Sequence, residues 1–136
     1  MSCHNRNMNR EIAPSGIAPT AANYAHAILS EAPARLLHTS GVVPIAADGT
    51  VPDDLGDQAT TVWTNLRAIL DDAGMSVTDV VSVTTYVVVG QPLAPVMAAR
   101  DRALGGHRAA STLVTVPALA RPEWKMEIAI VAASSG

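Results

Sequence analysis

The chain has 136 residues, 49% hydrophobic and only 15% charged, with nine Lys and Arg against twelve Asp and Glu and a formal net charge of −3. One domain of this length buries roughly two-thirds of its unfolded surface, and an acidic balance with no basic run argues against general nucleic-acid binding. A mean hydropathy of +0.23 leaves the surface short of charge, which points to cover by another subunit.

Residues 1–20 are polar, contain Pro14, Gly16 and Pro19, and read as a flexible N-terminal arm. Residues 21–136 read as a single domain. Cys3 is the one cysteine, so no internal disulfide is expected. Cys3-His4 has no partner ligands at metal-binding spacing. No apolar stretch follows the basic residues near the start, so a secretory leader is not expected. No apolar run approaches the ~18 residues of a membrane span, and the cytoplasm is the expected compartment.

In chain order, Tyr24–Leu29 reads as a first strand, Ser30–Pro33 as a turn, and Arg35–Thr39 as a second strand ending at Ser40-Gly41. Val42–Ile45 is a short apolar run before the Asp48-Gly49 turn dipeptide. Asp54 to Ala73 is the clearest helix. Acids follow Pro52 at its start, suited to the positive end of the helix dipole. Val62, Leu66, Ile69 and Leu70 form an apolar stripe, and Gly74 stands where a left-handed residue is wanted. Val80–Val89, dense in β-branched residues, predicts a strand covered on both faces. A second helix is expected over Leu93–Leu104, with Pro92 and Pro95 at its start and Gly105-Gly106 at its end. Thr112–Val116 and Met126–Ala132 read as strands joined by a loop with Pro117, Arg121 and Pro122. The order predicts an α+β layer: a mixed sheet with two helices on one face, the other face awaiting cover.

At this point the residues resemble the Rid (YjgF-type) family, from about Asn23 to Ala132. Tyr24 stands at the tyrosine of the family's Gly-Pro-Tyr, here preceded by Ala22-Asn23. Thr39-Ser40-Gly41-Val42-Val43-Pro44 resembles Thr-Ser-Gly-x-x-Pro. Gln58, Asn65-Leu66, Leu70 and Ala73-Gly74 resemble the family helix. Asp79-Val80-Val81 with Thr84-Thr85-Tyr86-Val87 resembles a central strand, and Met126-Glu127-Ile128 the closing Val-Glu-Ile-Glu strand. The resemblance implies a chorismate-mutase-like fold and a homotrimer with ligand clefts between subunits. It also implies hydrolysis of a 2-imino or 2-enamino acid, such as 2-aminoacrylate, to a keto acid and ammonia, with no cofactor and no metal.

The family's substrate-binding arginine lies in Pro-Ala-Arg-Ser/Thr; the matching stretch here is Ala109-Ala110-Ser111-Thr112, which puts Ser111 at the arginine position. Leu113 falls where many members have Cys or Thr. A guanidinium suits a substrate carboxylate because it donates two parallel hydrogen bonds; Ser111 has a hydroxyl and no charge. Arg108 is an odd number of residues away, so a slide along the strand would turn it to the other face. Arg121 reaches the cleft or else is a solvated loop arginine. Glu127, an acid in an apolar strand, matches the family's water-orienting glutamate, since a carboxylate there needs a polar site; the alternative is an edge acid facing solvent. Tyr24 and Ser40 are the remaining candidate binding residues, each equally readable as structural: a half-buried tyrosine and a turn former.

His26, His38 and His107 sit far apart and suggest no metal triad. Trp63 reads as core or interface, and Trp124 as a ligand or subunit contact.

Two functions from different classes remain open on the sequence. One is an imine or enamine deaminase using Glu127, with a substrate other than 2-aminoacrylate. The other is a non-catalytic trimeric binder of a small metabolite using the same cleft. A third, ribonuclease or translation inhibitor, sits badly with the acidic balance.

Overall fold

The computed structural model describes residues 8–136; Cys3 and His4 lie outside them. In chain order the elements are β1 (Asn9–Ile12), β2 (Ala27–Ser30), β3 (Arg35–His38), α1 (Leu55–Asp72), a short 3-10 turn (Val77–Asp79), β4 (Val80–Val88), α2 (Ala94–Leu104), β5 (Ala110–Val116) and β6 (Met126–Ser134).

α1 begins where the sequence predicts. Asp54 is extended and its carboxylate accepts a hydrogen bond from the Asp57 N–H at 3.0 Å, capping an otherwise orphaned donor. Leu55, Ala59, Val62, Leu66 and Leu70 are buried along one side. The helix stops at Gly74, whose φ of +70° is open to glycine at little cost. α2 carries Pro95 in its first turn and ends at left-handed Gly105.

The main sheet has strand order β3-β6-β4-β5. β6 is antiparallel to β3 and β4, whereas β4 and β5 run parallel with α2 as the crossover. Both helices lie on one face, and the core forms there from Val62, Leu66 and Leu70, from Val96, Ala99 and Leu104, and from Val83, Val87, Ile128 and Ile130. The expected mixed sheet with two helices on one face is therefore present.

The opposite face is partly open. It carries Tyr86 and Val88 from β4, Thr112 and Val114 from β5, and Glu127, Ala129 and Val131 from β6, by strand alternation and register. Val114 is 38% exposed.

Two expectations shift. Asn9–Ile12, within the expected arm, is a strand paired with β2. The first domain strand starts later than expected, at Ala27, because Ala25 instead bridges Ala110 in parallel, extending the sheet past β5.

Candidate functional site

β6 alternates strictly at its start: Met126, Ile128 and Ile130 are buried under the helices, and Glu127 points to the other face. Tyr86 lies directly opposite Glu127 on β4. The chain leaving β3 runs along the other flank of β6. The Thr39 N–H donates to the Ile130 carbonyl at 3.0 Å, and the Ile130 N–H donates to Thr39 Oγ1 at 2.9 Å. Val42 and Ile128 exchange both backbone bonds, at 2.7 and 3.1 Å. Ser40 and Gly41 cross between these two anchors.

That crossing explains the glycine. A Cβ on Gly41 would stand 1.7 Å from Glu127 Oε2 and 2.8 Å from its carboxyl carbon. Space, not backbone angle, is what glycine supplies here, since Gly41 is not among the positive-φ residues; a larger residue would oblige the Glu127 side chain to swing aside. The Glu127 side chain is half-buried, and among the described residues its carboxylate has no hydrogen-bond or ion-pair partner. A shielded acceptor with free lone pairs is suited to hold and deprotonate a water.

The other predicted residues lie elsewhere. Ser111 pairs with Val83, a core residue, so its side chain takes the helix-side face of β5 while Glu127 takes the opposite one. Two strand spacings and three residues of rise separate their Cα atoms by roughly 14 Å. Tyr24 sits at the start of the β5 edge: Ala25 N–H donates to the Ala109 carbonyl at 2.9 Å, and Ala21 N–H reaches the Tyr24 hydroxyl at 3.5 Å. Ser40 is exposed beside Gly41. The candidates therefore fall into two groups, Ser40 and Glu127 at one end of the sheet and Tyr24 and Ser111 at the other.

Neither candidate arginine stands free beside Glu127. Arg108 pairs with Glu11 at 3.2 Å and donates to the Tyr24 carbonyl, fastening β1 and the following segment to the start of β5. Arg121 lies in the β5–β6 loop with its guanidinium 5.7 Å from the Trp124 ring centroid, a cation–π contact. The loop is anchored by Gln58, which is fully buried on α1. Its amide donates to the Pro52 and Glu123 carbonyls at 2.7 and 2.9 Å and accepts from the Lys125 N–H at 2.9 Å.

Two of the histidines are occupied singly: His26 Nε2 bonds the Ala18 carbonyl and His107 Nε2 the Val80 carbonyl, each at 2.7 Å. Among the described residues no three His, Cys, Asp or Glu side chains cluster as metal ligands. No helix among them is long and apolar enough to cross a membrane.

Gly41 and Tyr86 sharpen the sequence reading, which named them only as motif letters. The signal was present: a Ser-Gly beside a strand, and a tyrosine on the strand that pairs with the acid.

A mixed sheet covered by two helices on one face, with a lone acid on the other, is the fold class that the resemblance implied. The endoribonuclease L-PSP family model matches residues 15–134, and the chain belongs to that family. It is 34% identical to YyfB of Yersinia pestis, a structure described as a conserved Rid family protein, with a TM-score of 0.84 over 93% of this chain and 98% of that one. TdcF of Escherichia coli, solved with bound serine, shares the fold at 24% identity and a TM-score of 0.69, covering 93% of this chain and 99% of that one. Among curated relatives, a RutC family protein of Haemophilus influenzae is 35% identical over 81 residues, 59% of this chain. TdcF of Escherichia coli, named for reactive-intermediate deamination, is 36% identical over 53 residues, 38% of this chain. The chain spans 57% and 41% of the lengths of these two curated relatives.

Proposed function

We propose that this protein is a cytoplasmic homotrimeric deaminase that hydrolyses a reactive imine or enamine metabolite to a carbonyl compound and ammonia. The half-buried, unpartnered carboxylate of Glu127, pressed against Gly41, carries the reading. Glu127 takes a proton from water as its oxygen bonds to the imine carbon. The resulting carbinolamine collapses to the carbonyl, and the nitrogen leaves as ammonia with the proton returned. An enamine first tautomerises to the imine. The relative named for reactive-intermediate deamination supports this chemistry.

The separation of the two residue groups supports the trimer. One chain cannot bring Tyr24 and Ser111 to its own Glu127; a neighbour whose β5 edge meets the Glu127 end can. The apolar open face of the sheet favours such burial.

The substrate we propose lacks a carboxylate beside the imine. Ser111 brings no charge, and losing a charge-assisted hydrogen bond costs ~1.5–3 kcal/mol, or about ten- to more than a hundredfold. With Arg108 held by Glu11 and Arg121 stacked on Trp124, that same lack favours a second reading, a non-catalytic metabolite binder in the same cleft. A ribonuclease, the activity in the family's name, fits poorly with a net charge of −3.

The test is ammonia release from imines generated in place, neutral ones and 2-imino acids side by side. Glu127→Gln is expected to lower the rate by about a hundredfold or more without moving Tm. Undiminished release from the variant sinks the role of Glu127. A tightly retained ligand with no turnover in the parent protein selects the binder.

A further inference from the structure

Past the end of β3 the chain and β6 fall out of step. His38 pairs with Val131, and the Thr39 N–H donates to the Ile130 carbonyl at 3.0 Å, so Thr39 stands opposite Ile130. The next pair is Val42 with Ile128. Ser40 and Gly41 therefore both face Ala129. Two residues against one make a β-bulge, which interrupts the ladder, bends the strand and re-aims side chains beside it.

The interruption is made good by one side chain. In a regular antiparallel ladder the Ile130 N–H would return a hydrogen bond to the Thr39 carbonyl. Here it donates to Thr39 Oγ1 instead, at 2.9 Å. The same hydroxyl donates its own hydrogen to the Ser40 carbonyl at 2.8 Å. Thr39 thus accepts from β6 and donates into the kink, and the peptide joining Ser40 to Gly41 is held by its carbonyl. On the far side of the kink Val42 packs against the core. The bulge is clamped by hydrogen bonds at one end and by burial at the other.

What the kink presents is Gly41, whose missing Cβ would stand 1.7 Å from Glu127 Oε2. The Gly41 backbone is therefore a wall against which the carboxylate rests. We propose that Thr39 is a positioning residue for Glu127: its hydroxyl locks the Ser40–Gly41 bulge, and the locked bulge sets the place of the carboxylate. This rests on the role proposed for Glu127 in deamination. Thr39 moves no proton itself and acts through Gly41. Valine has the same shape without the hydroxyl, so Thr39→Val leaves the Ile130 N–H and the Ser40 carbonyl without this partner. The regular register, with Gly41 opposite Ile128, then competes with the bulge.

The test compares the full-length protein with Thr39→Val and Thr39→Ser. Ammonia release from imines generated in place gives kcat and KM, and carbon NMR follows the Glu127 carboxyl resonance without need of turnover. Thr39→Val is expected to lower kcat by about tenfold with KM little changed, the scale of lost hydrogen bonds, and to move the Glu127 resonance toward that of a free glutamate. Thr39→Ser, which keeps the hydroxyl, should restore both. In the parent protein the Ile130 amide should exchange as slowly as that of Ile128, a measurement that stands even if the valine variant does not fold. The inference is overturned if folded Thr39→Val keeps the parent kcat and resonance, or if serine fails as valine does. It is also overturned if only KM rises, or if the Ile130 amide exchanges like an open one. A parent that releases no ammonia sinks the deaminase reading alone, and the resonance and the exchange still decide the role of Thr39.

Discussion

At Gly41 a single hydrogen atom separates a working arrangement from a collision. Replacing it with alanine sets a methyl group 1.7 Å from Glu127 Oε2, so either the 39–42 crossing or the carboxylate must move. Gly41→Ala is expected to cost ~0.5–1.5 kcal/mol, the scale of forcing one side chain from its preferred rotamer. Adding Glu127→Ala should return most of it. Denaturation of the two single variants and the double variant measures that coupling, and additive losses would show that the two residues do not meet. Asp48 offers a smaller check. Hydrogen bonds from the Thr50 side chain and backbone lower its pKa below the ordinary 3.8. A folded-state pKa below the unfolded one adds stability that is present above pH 3.8 and lost as the pH falls through the folded value. Asp48→Asn should therefore flatten the acid limb of a stability profile and leave its shape near neutrality unchanged. Glu127 was legible in the sequence because an acid amid Met126, Ile128 and Ile130 breaks an apolar pattern. The tie between Arg108 and Glu11 was not, because no local pattern encodes an ion pair between residues so far apart in the chain.

Among the elements, α1 packs against both α2 and β6. Leu66 is fully buried at its centre, and Leu66→Ala is expected to cost about 2–5 kcal/mol, read as a lower denaturation midpoint. Gln58 does a different task from the same helix, tying its N-terminus to the loop before β6. Gln58→Ala leaves the Pro52 and Glu123 carbonyls and the Lys125 N–H without their partner, so at least ~2 kcal/mol should be lost. Amide exchange should quicken over residues 118–125 before the sheet opens. Both helices and β4 could be read in advance, since caps, glycines and periodicity lie within each segment. β1 could not. Asn-Arg-Glu-Ile has no apolar alternation, and it is a strand only because Ala27–Ser30 offers an edge and Asn9 donates to the Ala133 carbonyl at 2.9 Å. The face on which Ser111 falls was hidden for a similar reason: it depends on the register of β5 against β4, which is a property of the pair.

For the whole molecule, the proposed trimer makes Val114 the informative position. It projects from the open face beside Thr112, and Val114→Glu places a charge where a subunit contact would be dry. Sedimentation should then give a smaller species with unchanged helix content, and the proposed deamination should vanish with it. A variant that stays assembled would disprove this face as the contact.

One further property follows from β5. It is the last strand of the main sheet, and past Ala110 its outer backbone edge has no partner strand among the described residues. From Ala109 to Ala120 no side chain carries a charge. An uncharged, β-prone ribbon with a free margin is a template for indiscriminate strand addition. A lone subunit should thus be short-lived in concentrated solution, clouding by edge-to-edge growth unless an orderly neighbour caps the ribbon first. The glutamate variant carries its own protection against that fate, which is why it, and not a milder alanine, should yield a clear solution.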